Sequence, residues 1–381
     1  ISNAISGTGN VSSSITGSGS DLAVSGAINL TDGLVNLAAD GNVAVTAAIG
    51  TGNTSSSAVI LNAGKSASAG TATGGDLSFS GSGTVTVGSG GRAMLMSGSV
   101  SGSTGLATLV GVGNSRYNSD ETSNGYTQAI GTSGLYAIYR ESPSLTVTLN
   151  NDSKTYNTLA YSGGNGYTVS STVNGDTAGS MGGSIVYGGT AQNAINAGSY
   201  TITGSGLTNS ITSLGYTLTY AAGTLTVGKA ALVATANSGT ATYNGYDQSL
   251  LGSYSVTGLL GSDTTSGFTG ISSAGVTGKN AGSYTNTITV ADQTNYTVSG
   301  VNGTFTIGKA ALTATGNSSS VTYNAGSQSV SGFTVSGLKG SDTVSGLSGI
   351  SAAGATGINA GTYSNAMTVT DQSNYTVTGV N

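Results

Sequence analysis

The sequence predicts an all-β chain, a right-handed parallel β-helix followed by tandem Ig-like β-sandwich domains, and three observations carry that expectation. First, of 381 residues 65 are Gly, nine are basic, 14 are acidic and one is Pro, yet 19 Tyr and many short Val/Ile/Thr runs are present. A disordered chain would be richer in charge and poorer in β-branched and aromatic residues. Second, apolar residues alternate with period two over three to five positions, without helical spacing. Third, Phe79 is the only aromatic residue before Tyr117, and every Tyr lies from there on, so two architectures are expected.

Over residues 1–115 the alternations Leu22/Val24, Ile28/Leu30, Val43/Val45, Val59/Leu61, Leu77/Phe79 and Val85/Val87, with Leu95, are broken by Gly, Asn, Asp and Ser. Short strands recurring over roughly 20 residues suit β-helix rungs stacked at about 4.8 Å, each burying its inward residues only against its neighbours. Asn29, Asn36, Asn42 and Asn62 fall near turns, where Asn tolerates left-handed backbone or stacks on a neighbouring Asn.

Residues 116–143 gather Arg116, Asp120, Glu121, Arg140, Glu141 and the single proline, Pro143, in a chain that is only 6% charged. The segment reads as a cap that closes the β-helix, its charges forming an ion-pair network. A catalytic cluster is the alternative.

From Ser144 the chain repeats itself. Gly228-Lys229-Ala230-Ala231-Leu232 returns as Gly308-Lys309-Ala310-Ala311-Leu312, and Thr242-Tyr243-Asn244 as Thr322-Tyr323-Asn324. Gly261-Ser262-Asp263-Thr264 matches Gly340-Ser341-Asp342-Thr343, and Asp292-Gln293-Thr294-Asn295-Tyr296 matches Asp371-Gln372-Ser373-Asn374-Tyr375. A divergent earlier copy is anchored by Lys154-Thr155-Tyr156-Asn157, Asn174-Gly175-Asp176-Thr177 and Asn196-Ala197-Gly198-Ser199-Tyr200. Repeats of about 80 residues with frequent turns suggest small sandwiches over residues 144–227, 228–307 and 308–381, with the recurrent Tyr in cores or at edges. Asn381 matches Asn302, so the third copy is expected to lack the counterpart of Gly303 to Gly308 and to expose a sheet edge, completed by a further segment or another molecule.

At these residues the chain resembles the large filamentous-haemagglutinin-type adhesins secreted by the two-partner route. The β-helix stretch, the junction from Arg116-Tyr117-Asn118-Ser119-Asp120-Glu121 to Tyr139-Arg140-Glu141, and the repeats follow that layout. The repeat from Ser144 is similar to the MBG domain of bacterial adhesins. The two later ones resemble the related YDG domain, with Tyr243-Asn244-Gly245 where its motif falls, although Tyr323-Asn324-Ala325 departs from it. The resemblance implies export through an outer-membrane secretion partner and service as a stalk at the bacterial cell surface or in a biofilm matrix.

Chemistry is restricted by composition. With no His and no Cys, Ser-His-Asp hydrolysis, thiol nucleophiles and the usual zinc sites are excluded. A net charge of -5 with scattered basic residues disfavours nucleic acid as a partner. Asp21, Asp32, Asp40 and Asp76 could serve a lyase on the β-helix, but their spread through turn-like positions favours turn-forming roles. Asp263/Asp342 and Asp292/Asp371 invite calcium, yet each repeat has too few carboxylates, so bonds to turn amides are expected. Lys229 and Lys309 could form isopeptide bonds only beside a buried acid, and no repeated Glu is present. No enzyme, metal or cofactor is therefore expected. The expectation is a structural stalk mediating attachment. A carbohydrate-binding module using Tyr246 and Tyr254, or a filament subunit that self-associates by strand exchange, are the alternatives.

Overall fold

The computed structural model describes residues 1–381, which form two compact units: Ile1–Ser153 with Ala160–Ala194 and Ser199–Thr226, and Lys154–Leu159 with Ile195–Gly198 and Val227–Asn381. Short segments of the first repeat thus cluster with the second unit, a division the sequence repeats did not suggest.

In the first unit the period-two runs become parallel strands on three faces. One face stacks Ile5–Gly7, Ile28–Leu30, Ala48–Thr51 and Thr84–Thr86. The second stacks Val11–Ile15, Val35–Ala39, Val59–Ala63 and Arg92–Ser97, and the third Leu22–Val24, Val43–Val45 and Leu77–Phe79. Register makes like stand on like: Leu37, Leu61 and Leu95 align on one face, Leu22, Val43 and Leu77 on another. Leu37, Leu61, Leu77 and Leu95 are fully buried. Each contributes on the order of 1.5–3 kcal/mol by leaving water. This is the β-helix arrangement the sequence predicts.

Polar residues at one corner tie rung to rung. Asp21 Oδ1 accepts the Asn42 amide at 2.6 Å, Asn42 Oδ1 the Asp76 amide at 2.8 Å, and Asp76 Oδ1 the Ser99 amide at 2.6 Å. Beside this ladder Asp40 accepts the Gly17 amide and the Ser66 hydroxyl, at 2.8 and 2.5 Å. Those bonds hold the Asp40 carboxyl below its ordinary range. At the same corner Gly75, with φ +145, passes so close to the Gly41 carbonyl that a Cβ would stand 2.1 Å from it. Only glycine fits there.

Gly134–Tyr139 lies parallel to Arg92–Ser97 and pairs with Ser115–Arg116, so the segment read as a cap supplies a further rung. The core then continues without a break through Tyr117 and Tyr139 to Leu145, Ile211, Leu214 and Tyr216 of the first repeat.

In the second unit, Ala230–Ala236 pairs antiparallel with Tyr254–Thr257 and parallel with Tyr296–Val301. Gly303–Gly308 runs between Gly239–Thr242 and Gly282–Asn286. The third repeat has the matching sheet of Ala310–Gly316, Phe333–Ser336 and Tyr375–Val380. One core cluster joins the two repeats, from Tyr243, Phe305 and Ile307 to Leu312, Ala314, Tyr375 and Val377.

Candidate functional site

The five charged residues of the junction do not form the expected ion-pair network. Arg116 is buried and spends its guanidinium on backbone carbonyls of Gly113, Ser115, Gln128 and Ala129, at 2.8–3.1 Å. Asp120 accepts the amides of Ala69, Thr122 and Ser123, which drive its pKa far below the ordinary carboxylate range. Glu141 accepts the Val100 amide at 2.6 Å. Among the five, the one ion pair formed is Arg140 with Glu121, at 2.9 Å. The reason is geometric: loops closing a β-helix leave many backbone groups unpaired, and charged side chains satisfy these first.

Tyr246 is exposed in a turn, its amide donating to Asn244 Oδ1 at 2.9 Å. Tyr254 opens the edge strand Tyr254–Thr257 and is also exposed. The acids considered for lyase chemistry occupy turns. Asp21 and Asp76 stand in the ladder at one corner of the rungs with Asp40 beside it, and all three accept the rung-to-rung bonds described above, while Asp32 lies at a different corner.

A different constellation recurs three times. Tyr117 and Tyr216 both donate to Asp176 Oδ2, at 2.6 and 3.0 Å. Tyr156 and Tyr296 both donate to Asp263 Oδ2, at 2.9 and 2.5 Å. Tyr243 and Tyr375 both donate to Asp342 Oδ2, at 2.8 and 2.6 Å. In each the two rings meet edge to face, with centroids 4.9, 5.5 and 5.4 Å apart. Such pairs add about 0.5–1.5 kcal/mol beyond their buried area. The second tyrosyl oxygen also accepts a backbone amide, from Val173, Leu260 or Lys339. The first Tyr is anchored through its own amide, to the carbonyl of Leu214, Gly228 or Gly308.

This corrects the expectation that Asp263 and Asp342 bond turn amides: both carboxylates are shared by two phenols. Asp292 and Asp371 do accept amides, of Val298 and Val377, and also face Lys229 and Lys309 at 3.5 and 3.8 Å. These lysine pairs are half exposed and lack a buried acid beside them. Surface pairs of this kind are weak, so Lys229→Met is expected to leave the melting temperature unchanged and the intact mass at its sequence value; a mass deficit in the parent would instead reveal a crosslink.

Burial and the shared carboxylate raise the phenol pKa values. Tyr216 and Tyr375 are each pushed up to about 12, and Tyr117, Tyr156, Tyr243 and Tyr296 are raised, burial being the largest cause in every case. Because folding favours the neutral phenols, the stability they contribute is fully present below the unfolded value of about 10 and is lost as pH rises toward 12. Alkaline titration should therefore show a group of tyrosines whose ionisation coincides with unfolding. Smooth ionisation of all tyrosines near pH 10 in the folded chain would contradict the arrangement.

Six of these residues, Tyr156, Asp176, Tyr216, Tyr243, Asp263 and Tyr296, lie within a recognised domain type. Residues 145–226 and 232–306 match the family model of the MBG domain (YGX type). MBG domains are typical of extracellular surface proteins of the adhesin-like kind. The second MBG match falls on the repeat that the sequence likened to the related YDG domain, so the MBG type extends across both repeats. No curated protein and no solved structure matches the chain. No helix is long and apolar enough to cross a membrane. In the two MBG repeats the Asp and second Tyr of the clasp are Asp176 with Tyr216, and Asp263 with Tyr296.

Proposed function

We propose that this chain is a structural stalk segment of a secreted bacterial surface adhesin or matrix fibre, exported through an outer-membrane partner and serving attachment without catalysis. The observation that supports this reading is the Tyr-Asp-Tyr clasp, repeated with one geometry in each of the three repeats. A clasp that joins a residue before each repeat to two inside it is a means of transmitting tension, not of turning over a substrate. Its phenols are held neutral and its carboxylates are engaged. Pulling single molecules by their ends is the test. Unfolding in separate steps, with increments on the order of 280 Å for about 80 residues, is the expected result. Smooth extension at low force would end the proposal.

Exposure of Tyr246 and Tyr254, at 66% and 37%, favours polysaccharide recognition as a second reading, since exposed rings stack on sugars. Replacing both with Ala is expected to abolish retention on an exopolysaccharide column if that reading holds. Unchanged retention, or none by the parent chain, removes it.

A further inference from the structure

A pocket of about 410 Å³ opens on the second repeat, and every residue that lines it belongs to the second unit. Phe268 lines it, half-buried, its ring tilted at 56° to that of Tyr296 with centroids 6.1 Å apart. Tyr296 is itself 2% exposed, so Phe268 offers the accessible apolar surface. Asp263 lines the same pocket. Both clasp bonds fall on its Oδ2, which leaves Oδ1 without a protein donor. In the first repeat the corresponding free oxygen, Oδ1 of Asp176, is sealed from solvent, whereas Asp263 is half-buried at the pocket. The exposed hydroxyls of Ser262, Thr264 and Ser266 add to the lining, and no Lys or Arg does.

The walls are pinned from behind. Gln293 is buried, donates through Nε2 to the Thr269 and Ala291 carbonyls at 2.9 and 2.7 Å, and accepts the Thr269 amide at 3.2 Å. Asn295 accepts the Ala197 amide at 2.9 Å and donates to Asn196 Oδ1 at 3.0 Å. A loop held in this way lowers the ordering cost of binding. The third repeat keeps the same lock, Gln372 donating to the Ser348 carbonyl at 2.7 Å and accepting its amide at 3.2 Å, but it has Leu347 where Phe268 stands. Leucine therefore suffices to close this loop, and an aromatic ring is more than that task requires.

We propose that this pocket binds one neutral pyranose unit of a glycan. A pyranose has an apolar face of C–H bonds and a rim of hydroxyls. Its C–H face lies on the electron-rich face of Phe268. One sugar hydroxyl donates to Asp263 Oδ1 in a charge-assisted hydrogen bond, and others exchange bonds with the Ser and Thr hydroxyls, directly or through water. An apolar wall with a few fixed polar groups, in a volume of this size, is the usual make-up of a small-molecule site. Asp263 is the only carboxylate in the lining and no cation balances it, so uronic acids and sulfated sugars are repelled. The site rests neither on Tyr246 and Tyr254, which do not line it, nor on the stalk reading.

The test titrates the whole chain, isotopically labelled, with glucose, galactose and mannose, and with glucuronate as the charged control. Saturable shifts of the amides of residues 262–269 and 293–296 are expected with at least one neutral sugar, with glucuronate weaker by at least about tenfold. Phe268→Leu should weaken binding at least about fivefold and keep the melting temperature, since leucine serves the matching position of the third repeat. The double variant Tyr246→Ala with Tyr254→Ala should bind as the parent does. Retention on a column of bacterial exopolysaccharide or of mucin glycans tells which source supplies the sugar, and either supports the site. Saturation by no neutral sugar, shifts elsewhere in the chain, glucuronate binding as tightly, or equal affinity of Phe268→Leu overturns the proposal. So does loss of binding in the double variant, which assigns the sugar to the exposed rings of Tyr246 and Tyr254. The stalk reading survives each of these failures, because stepwise unfolding under force does not depend on this pocket.

Discussion

Asp176→Ala is expected to destabilise the first unit by on the order of 3–5 kcal/mol, because it strands two buried hydroxyls at once. Tyr117 is fully buried and Tyr216 nearly so, and both donate to the same oxygen of a carboxylate that is itself 6% exposed. Neither phenol can turn to water. Asp176→Asn should cost less, since one carbonyl oxygen still accepts, and Oδ1 of the native side chain has no partner to lose. Asp342→Ala removes the equivalent acceptor from Tyr243 and Tyr375 at a partly exposed position, so roughly half the effect is expected there. Denaturant unfolding followed by tyrosine signals would rank the three variants. Amide exchange at Tyr117, bonded to the Leu214 carbonyl at 2.8 Å, would locate the loss. Equal stability of Asp176→Ala and the parent would show that the clasp does not hold the unit.

The second large effect is expected at Arg140, whose side chain is wholly buried. Its guanidinium donates to the Ala67 and Ala63 carbonyls at 2.8 and 2.6 Å, to Asn62 Oδ1 at 2.8 Å and to Glu121 at 2.9 Å. Breaking a buried pair from one side costs about 3–5 kcal/mol, because the remaining groups stay buried without a partner. Arg140→Ala should therefore unfold the rungs around Val59–Ala63 and Gly134–Tyr139 well below the parent's transition. Arg140→Lys should recover little, since an ammonium cannot present the planar fork that four acceptors require. Glu121→Gln, at a partner 34% exposed, is expected to be mild. If Arg140→Lys matches the parent in thermal unfolding, the fork geometry is not what matters.

Much of the β-helix was legible because its rule is local. Period-two alternation at Leu22/Val24, Val43/Val45 and Leu77/Phe79 places one side of each strand inward whatever its neighbours are, and the observed register keeps those residues stacked. The corner acids were legible as turn residues. That Asp21, Asn42 and Asp76 stack in one ladder was not, because residues 64–76 lengthen the third rung and break the period. The junction charges were conspicuous, but their partners were misjudged, since the backbone carbonyls that Arg116 satisfies leave no trace in composition.

The clasp shows the boundary most clearly. Tyr156, Tyr243 and Tyr323 recur in one motif, as do Asp176, Asp263 and Asp342, and that recurrence was the available signal. Tyr243 lies 99 residues from Asp342 and Tyr156 lies 107 from Asp263, so no local pattern pairs them.

By itself, then, the sequence determined an all-β chain, its division into a rung-forming part and a repeating part, and the exclusion of His- and Cys-based chemistry. Only the tertiary structure decided that Asp176, Asp263 and Asp342 are each shared by two tyrosines, one of them from before its repeat. Alternation and turn chemistry act within a few residues and can be read in order, whereas a shared carboxylate depends on which distant side chains are brought within about 3 Å of each other.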